Sequence, residues 1–259
     1  MNSFWADTSK PIAIAHRGGA GFYTVDRFKR ENTLKVFQAA ASLGYEYLEL
    51  DVTATSDNRA IVLHVTTDRF ETLLHKPSAP NAKKLQMLTY EQLKIRLNRQ
   101  IPTLGEMLIK FPKTKFLIDC KTDKAVEPIA KEVIKAKAYD RVYLNSFYIH
   151  RVAKLQEILG KKVTYGLVVG RYPRLINKKL EDLLKGKYSD VGLTAIVLPY
   201  RFINQKMVGF LHKEGLKVLV WTPNTEPAIQ RCIDLRVDGI ISDNVRLLKE
   251  MLDSRKAKK

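Results

Sequence analysis

Cysteine is nearly missing from this chain: there are two in 259 residues, Cys120 and Cys232, far apart and without a CxxC spacing. That excludes a disulfide framework and argues against a structural zinc site. Acidic residues are scarce, 27 against 45 lysines and arginines, for a formal net charge of +18. No apolar run of about 18 residues occurs, so no membrane span is expected. Residues 1–10 lack the apolar centre of a signal peptide. We therefore expect a cytoplasmic location, with peripheral contact at a membrane. No GxGxxG or GxxxxGK[ST] follows a strand-like run, which argues against a nucleotide-binding open sheet. No basic stripe is interleaved with aromatics, so no specific nucleic acid partner is expected.

What is present is an ordinary globular composition, 45% hydrophobic and 28% charged. It suits one large α/β domain or two small ones. The basic excess concentrates in residues 171–187 and in the tail 254–259. Such a surface attracts phosphorylated substrates or an anionic membrane. A basic surface serving only solubility explains the charge equally well, and the oligomeric state is left open.

The chain is organised around YEYLELDV, residues 45–52. A strand alternates its side chains, so Glu49 and Asp51 point one way while Leu48, Leu50 and Val52 point the other. Two acids side by side on a buried strand repel each other and resist desolvation. A hard cation such as Mg²⁺, Ca²⁺ or Mn²⁺ removes both costs. The plain alternative is a strand with one solvated face.

Around it, short apolar runs alternate with amphipathic segments. Strands are predicted at 11–15, 46–52, 116–118, 142–145, 163–168, 195–198, 216–221 and 239–241. Helices are predicted at 125–136, 149–159, near 177–184, and at 204–214, 226–235 and 245–252. An earlier helix starts at Asn32 or Thr33 as its cap and ends at Gly44, and another covers 101–111. Residues 60–64 form a hairpin-like return of the acid strand across a turn at Ser56–Asn58. Residues 65–100 break the rhythm and read as an insertion over one end of the fold, helical only at 90–97. Eight βα units predict an α/β fold, a (β/α)₈ TIM barrel with a small insertion after its second strand, as a single domain over 1–259. A doubly wound open sheet is the alternative.

In a barrel the functional residues sit at the C-terminal strand ends. His16 and Arg17 close the first strand, Glu49 and Asp51 the second, and His64 its extension. Asp119 with Lys121 closes the third, Asn145 and Ser146 the fourth, Trp221 the seventh and Asp243 the eighth. Glu49, Asp51 and Asp119 suit one divalent cation. Arg17 and Lys121 suit a phosphoryl group beside it. His16 and His64 suit general acid and base work across a P–O bond. Together they point to metal-assisted phosphodiester cleavage. His75, His150 and His212 read as structural or surface residues.

At these residues the chain resembles the glycerophosphodiester phosphodiesterase family. The resemblance rests on His16-Arg17-Gly18, Glu31-Asn32-Thr33, Glu49-Leu50-Asp51, Leu63-His64, Asp119-Cys120-Lys121 and Trp221-Thr222, in order, over roughly residues 11–252. It implies a (β/α)₈ barrel with a small insertion and a divalent cation, Mg²⁺ or Ca²⁺, on Glu49, Asp51 and Asp119. It also implies Glu31 near the metal, acid/base work by His16 and His64, and substrate contacts from Arg17, Lys121 and Trp221. The implied reaction releases glycerol 3-phosphate and an alcohol from a small-molecule phosphodiester. The resemblance also opens a route in which the neighbouring glycerol hydroxyl attacks first, giving a cyclic phosphate.

Three departures bear on the substrate: Val65 follows His64 where the family commonly has Asp, Asp119 stands for the commoner Glu, and the loop 19–30 is long with Arg30 near its end. The alternatives are phospholipase D-like action on a lysophospholipid or sphingolipid, and a basic barrel that only binds phosphate.

Overall fold

Apolar runs bounded by turn-forming residues become strands throughout the computed structural model, which describes residues 4–5, 11–19, 30–65, 82–170 and 189–254. The predicted helix near 177–184, the basic stretch 171–187, His75, most of the 19–30 loop and the tail beyond Ser254 lie outside the described residues. The strands are β1 (Ile12–Ala15), β2 (Tyr47–Ala54), β3 (Ala60–Val62), β4 (Lys115–Cys120), β5 (Val142–Ser146), β6 (Thr164–Val168), β7 (Leu193–Pro199), β8 (Lys217–Trp221) and β9 (Gly239–Ser242).

All but β3 are parallel neighbours in the order β1-β9-β8-β7-β6-β5-β4-β2. Pairing of Ile14 with Tyr47 and of Ala15 with Leu48 joins β1 back to β2. That pairing makes the sheet a closed TIM barrel and rules out the open, doubly wound alternative.

The described helices are α1 (Leu34–Ser42), α2 (Tyr90–Leu97), α3 (Leu104–Lys110), α4 (Val126–Lys135), α5 (Ile149–Leu159), α6 (Gln205–Lys213), α7 (Glu226–Asp234) and α8 (Val245–Asp253), beside a four-residue helix at Ala82–Leu85. Thr33, one of the two expected caps, caps α1, accepting the Val36 N–H. One predicted start shifts for a clear reason. Thr103 and Glu106 form a capping box, so the helix predicted over 101–111 begins only at Leu104. None of the described helices is long and apolar enough to cross a membrane.

Strand alternation divides the core in two. Leu48, Leu50, Val52, Phe116 and Ile118 face outward into the layer shared with the helices. Ile12, Ile14, Tyr47, Leu117, Tyr143 and Leu219 face inward and pack with Phe4, which is fully buried among them. Tyr47 Oη and Lys115 Nζ both donate to the Phe4 carbonyl, at 2.8 and 2.7 Å.

The acid strand does not end at Asp51. It runs on to Ala54, and β3 pairs antiparallel with this overhang, Val52 opposite Val62 and Ala54 opposite Ala60. The described part of the insertion packs on that hairpin through Ile61, Leu63, Val65, Leu85, Leu93 and Ile101. Val65 is fully buried in this small core, which gives a packing reason for an apolar residue after His64.

Candidate active site

The inward residues of each strand change character on passing from the filled end of the barrel to the other. Along β2 the inward sequence is Tyr47, Glu49, Asp51; along β4 it is Leu117 and Asp119, with Lys121 following; along β5, Tyr143 and Asn145. Ile14 is followed by His16, Leu219 by Trp221 and Ile241 by Asp243. Period-two alternation thus carries the apolar filling upward into a polar layer at the C-terminal mouth. One pocket there is lined by His16, Arg17, Glu49, Asp51, His64, Asp119, Lys121, Asn145 and Trp221, and its other wall is apolar, with Phe147, Val168, Val197 and Ile241. The residues predicted for catalysis, substrate binding and the cation therefore meet in one place, and Glu31 lies beside it as a partner of Arg17. His150 and His212 lie apart from it, paired with Asp123 at 2.9 Å and Asp238 at 2.7 Å.

Arg17 is the hub. Its backbone sits in the left-handed region, φ 50°, and is followed by Gly18 at φ 82° and Gly19 at φ 80°. A Cβ on Gly18 would lie 2.6 Å from Val36 Cγ2, so both the turn and the packing against α1 require glycine. The turn aims the Arg17 N–H at Glu49 Oε2, 2.9 Å away. The guanidinium then reaches Glu31 through Nη1, at 3.0 and 3.2 Å, and ion-pairs with Asp51 through Nε at 2.9 Å. Asn32, fully buried at φ 55°, donates from Nδ2 to Asp51 Oδ2 at 3.0 Å. Of the two candidate caps, Thr33 caps the helix and the Asn32 side chain belongs to the site. Lys121 Nζ lies 3.3 Å from Asp119 Oδ2 and 3.7 Å from Asp51 Oδ1. Asp51 and Asp119 are direct neighbours in the β2–β4 register.

The two histidines are held differently. His16 Nδ1 lies 2.6 Å from Asp243 Oδ1, while its Nε2 is 3.9 Å from Glu49 Oε2. Asp243 is fixed in turn: Asn224 Nδ2 donates to its Oδ2 at 2.8 Å, and Asn224 Oδ1 accepts its N–H at 2.9 Å. This fixes the ring so that Nε2 is on the Glu49 side. His64 Nδ1 faces Asp51 Oδ2 at 3.4 Å. Asp51 therefore stands where an acid following the histidine would otherwise be sought. Asn32, Asn145, Asn224 and Asp243 were not assigned as site residues from sequence. Asn145 and Asp243 carried a signal in their strand-end positions, whereas Asn224, three residues beyond Trp221, carried none.

Burial makes the charges interdependent. Burial alone would lower the Arg17 pKa, but Asp51, Glu31, Glu49 and Asp243 outweigh it and keep the guanidinium charged. Burial pushes Asp51 upward, yet Arg17, His64 and Lys121 hold its carboxyl well below the usual range. Glu49 goes the other way: burial and the Asp51 charge raise it well above the ordinary value, against the pull of Arg17. His64 is lowered to about 4 by burial and then by Arg17, with Asp51 opposing. At neutral pH it is an uncharged imidazole.

That last shift sets a stability window. A histidine protonates near 6.5 when unfolded and only near 4 here, so its contribution is complete above pH 6.5 and is lost as pH falls toward 4. Glu49 titrates with the opposite sign, so a difference between variants isolates the histidine. The fall in Tm from pH 7 to pH 5 is expected to be smaller in His64→Gln than in the wild type. Equal slopes in thermal melts would contradict the assignment.

The predicted cation trio shares the mouth without forming a common shell. Among the described residues, no group of three or more His, Cys, Asp or Glu side chains is gathered to hold a metal ion. The carboxylates are instead engaged by Arg17 and Lys121. Their donor chemistry still fits a hard cation, since Glu49, Asp51 and Asp119 are all buried at one mouth, with Glu31 held beside it by Arg17.

The sequence model of the Glycerophosphoryl diester phosphodiesterase family matches residues 16–247, from His16 in β1's closing turn into α8. The chain belongs to this family. It is a phosphoric diester hydrolase. A glycerophosphodiester phosphodiesterase of Caldanaerobacter subterraneus subsp. tengcongensis is 30% identical over 252 residues, 92% of this chain and 96% of the relative. A lysophospholipase D of Rattus norvegicus is 25% identical over 289 residues, 94% of this chain and 87% of the relative. Among solved structures, the glycerophosphodiester phosphodiesterase of Thermotoga maritima superposes with a TM-score of 0.72 at 22% identity, covering 94% of this chain and 99% of the other. An Oleispira antarctica phosphodiesterase, solved with its product sn-glycerol-3-phosphate, gives 0.73 at 19% identity, covering 94% and 97%. At these identities the structural likeness concerns the fold.

Proposed function

We propose that this member of the family hydrolyses glycerophosphodiesters to glycerol 3-phosphate and an alcohol, with a divalent cation and with His16 and His64 as the acid/base pair. The observation that carries the reading is the convergence of two buried histidines, two buried or partly buried cations and three buried carboxylates on one pocket. Glu49, Asp51 and Asp119, with Glu31 beside them, would hold Mg²⁺ or Ca²⁺. Such an ion supplies Lewis-acid stabilisation of the charge that develops on the phosphoryl oxygens.

The remaining roles belong to this chain's own side chains. Arg17 and Lys121 carry fixed positive charge for the phosphate. His64, uncharged at neutral pH, is suited to accept a proton from the attacking hydroxyl. His16, held through Nδ1 by Asp243, is suited to donate from Nε2 to the departing oxygen. Asn145 Oδ1 and Trp221 Nε1 are buried in the pocket wall without hydrogen-bond partners among the described residues, and suit the hydroxyls of a glycerol moiety.

The reading is tested by product analysis. Incubation with glycerophosphocholine is expected to yield glycerol 3-phosphate and choline, detected enzymatically. Phosphocholine and glycerol as products would place the scissile bond on the other side of phosphorus and overturn it.

A second reading has its own observation. The apolar wall of Phe147, Val168, Val197, Trp221 and Ile241 offers a lodging for hydrocarbon. It suits release of the alcohol from a lysophospholipid, the activity named for the rat relative. A higher kcat/KM on lysophosphatidylcholine than on glycerophosphocholine would favour it.

A further inference from the structure

The insertion carries a surface that the site does not use. Met87 and Ile95, 79% and 81% exposed, are the most exposed large hydrophobic side chains among the described residues. In α2 the inner face is already taken: Leu93 is buried, and Tyr90 and Leu97 pack on the same small core. Ile95 lies two positions past Leu93, about 200° round the helix, and so faces away from that core. A single exposed apolar residue needs no explanation.

Here the surroundings single the two out. Between residues 82 and 99 the cations are Lys83, Lys84, Lys94, Arg96 and Arg99, against the one acid Glu91. Glu91 is itself paired with Lys94 at 3.1 Å. Lys83, Lys84 and Arg96 are exposed like their apolar neighbours. Exposed apolar side chains bracketed by basic ones are what an anionic lipid interface rewards, through shallow insertion and headgroup attraction together.

We propose that the segment 82–97 docks on an anionic bilayer, with Met87 and Ile95 entering the boundary of headgroups and acyl chains and Lys83, Lys84 and Arg96 meeting lipid phosphates. Its place in the fold gives the docking a purpose. The insertion is built on the β2–β3 hairpin, which extends the acid strand past Asp51 and returns at His64. Arg99 Nη2 then ties it to the mouth, donating to the Glu31 carbonyl at 2.9 Å. Docking would hold the mouth beside the lipid surface, where diesters derived from phospholipids arise. This consequence rests on the function proposed above; the docking itself does not.

The experiment is co-sedimentation of the full chain with vesicles of phosphatidylglycerol and phosphatidylcholine, and with vesicles of phosphatidylcholine alone. The wild type is expected to partition onto the anionic vesicles. Met87→Ser with Ile95→Ser is expected to weaken that partition by about ten-fold or more. Replacing Lys83, Lys84 and Arg96 by glutamine is expected to cost about five-fold per charge. Hydrolysis of soluble glycerophosphocholine should be unchanged in both variants. No binding to anionic vesicles, or loss with the charge variant but not the apolar one, overturns the proposal. So does a dimer of the wild type that the apolar variant abolishes, since the patch would then cover a second copy. A chain that sediments as expected yet releases no glycerol 3-phosphate supports the docking and overturns the reading of the site.

Discussion

His16→Ala is expected to lower kcat for glycerol 3-phosphate release by roughly 10²–10⁴-fold, the range associated with losing a positioned acid or base. KM should change far less, because under the proposed reading Arg17 and Lys121 would still carry the charge for the phosphate. The prediction depends on the orientation of the ring. Asp243, braced by Asn224, takes Nδ1 at 2.6 Å and leaves Nε2 on the Glu49 side. Alanine would also leave Asp243, a buried carboxylate, without its imidazole, and part of any loss could then be structural. His16→Asn separates the two effects, because its amide retains a donor near the former Nδ1 and has nothing at Nε2. Both variants should be equally inactive, with the asparagine variant melting closer to wild type. If His16→Asn retains most of the wild-type kcat, proton transfer by His16 is wrong.

Removing divalent cations is expected to have the second large effect. Dialysis against a chelator is expected to lower activity by about 10²-fold or more, with recovery on adding Mg²⁺ or Ca²⁺. The electrostatics explain the expectation. Glu31, Glu49, Asp51 and Asp119 are buried together, and burial with the Asp51 charge pushes Glu49 well above its ordinary pKa. Burial is the larger cause of that shift and the Asp51 charge the next, so added positive charge there would favour the ionised form. Arg17 and Lys121 supply part of that charge, and a cation would supply more. Glu49→Gln and Asp119→Asn are accordingly expected to raise the cation concentration needed for half-maximal activity, by about 10-fold or more. Full activity after exhaustive chelation, with metal content measured by mass spectrometry, would remove the cation from the mechanism.

Much of the site was legible because strand geometry is local. Glu49 and Asp51 share a side for the same reason that Leu48 and Leu50 share the other. His16, Asp119 and Trp221 were found in the same way, as polar residues closing apolar runs, and Asn145 and Asp243 carried the same signal without being assigned a role. Thr103 and Glu106 were less visible, since a capping box moves a helix start by only a few residues and 101–111 contains apolar residues on both sides of it. Between the two candidate caps, Asn32 and Thr33, the choice had a physical reason. An asparagine before a helix is equally suited to capping it or to leaving the helix backbone in the left-handed region, and only the nearness of Asp51 decides for the second. Val65 was seen as a departure, but the core that buries it is formed by Leu85, Leu93 and Ile101, which nothing in its own neighbourhood announces.

By itself, the sequence determined the alternation of strand and helix, the side of the acid strand on which the carboxylates lie, and the set of polar residues closing the strands. All of these follow from backbone periodicity and from the cost of burying charge. Tertiary structure alone decided that the sheet closes, through Ile14 and Tyr47 pairing across the seam. It also decided which charges neutralise one another: Arg17 with Glu31 and Asp51, Lys121 with Asp51, and His16 with an aspartate 227 residues away. Such pairings depend on register and on barrel closure, and neither is encoded within any one strand.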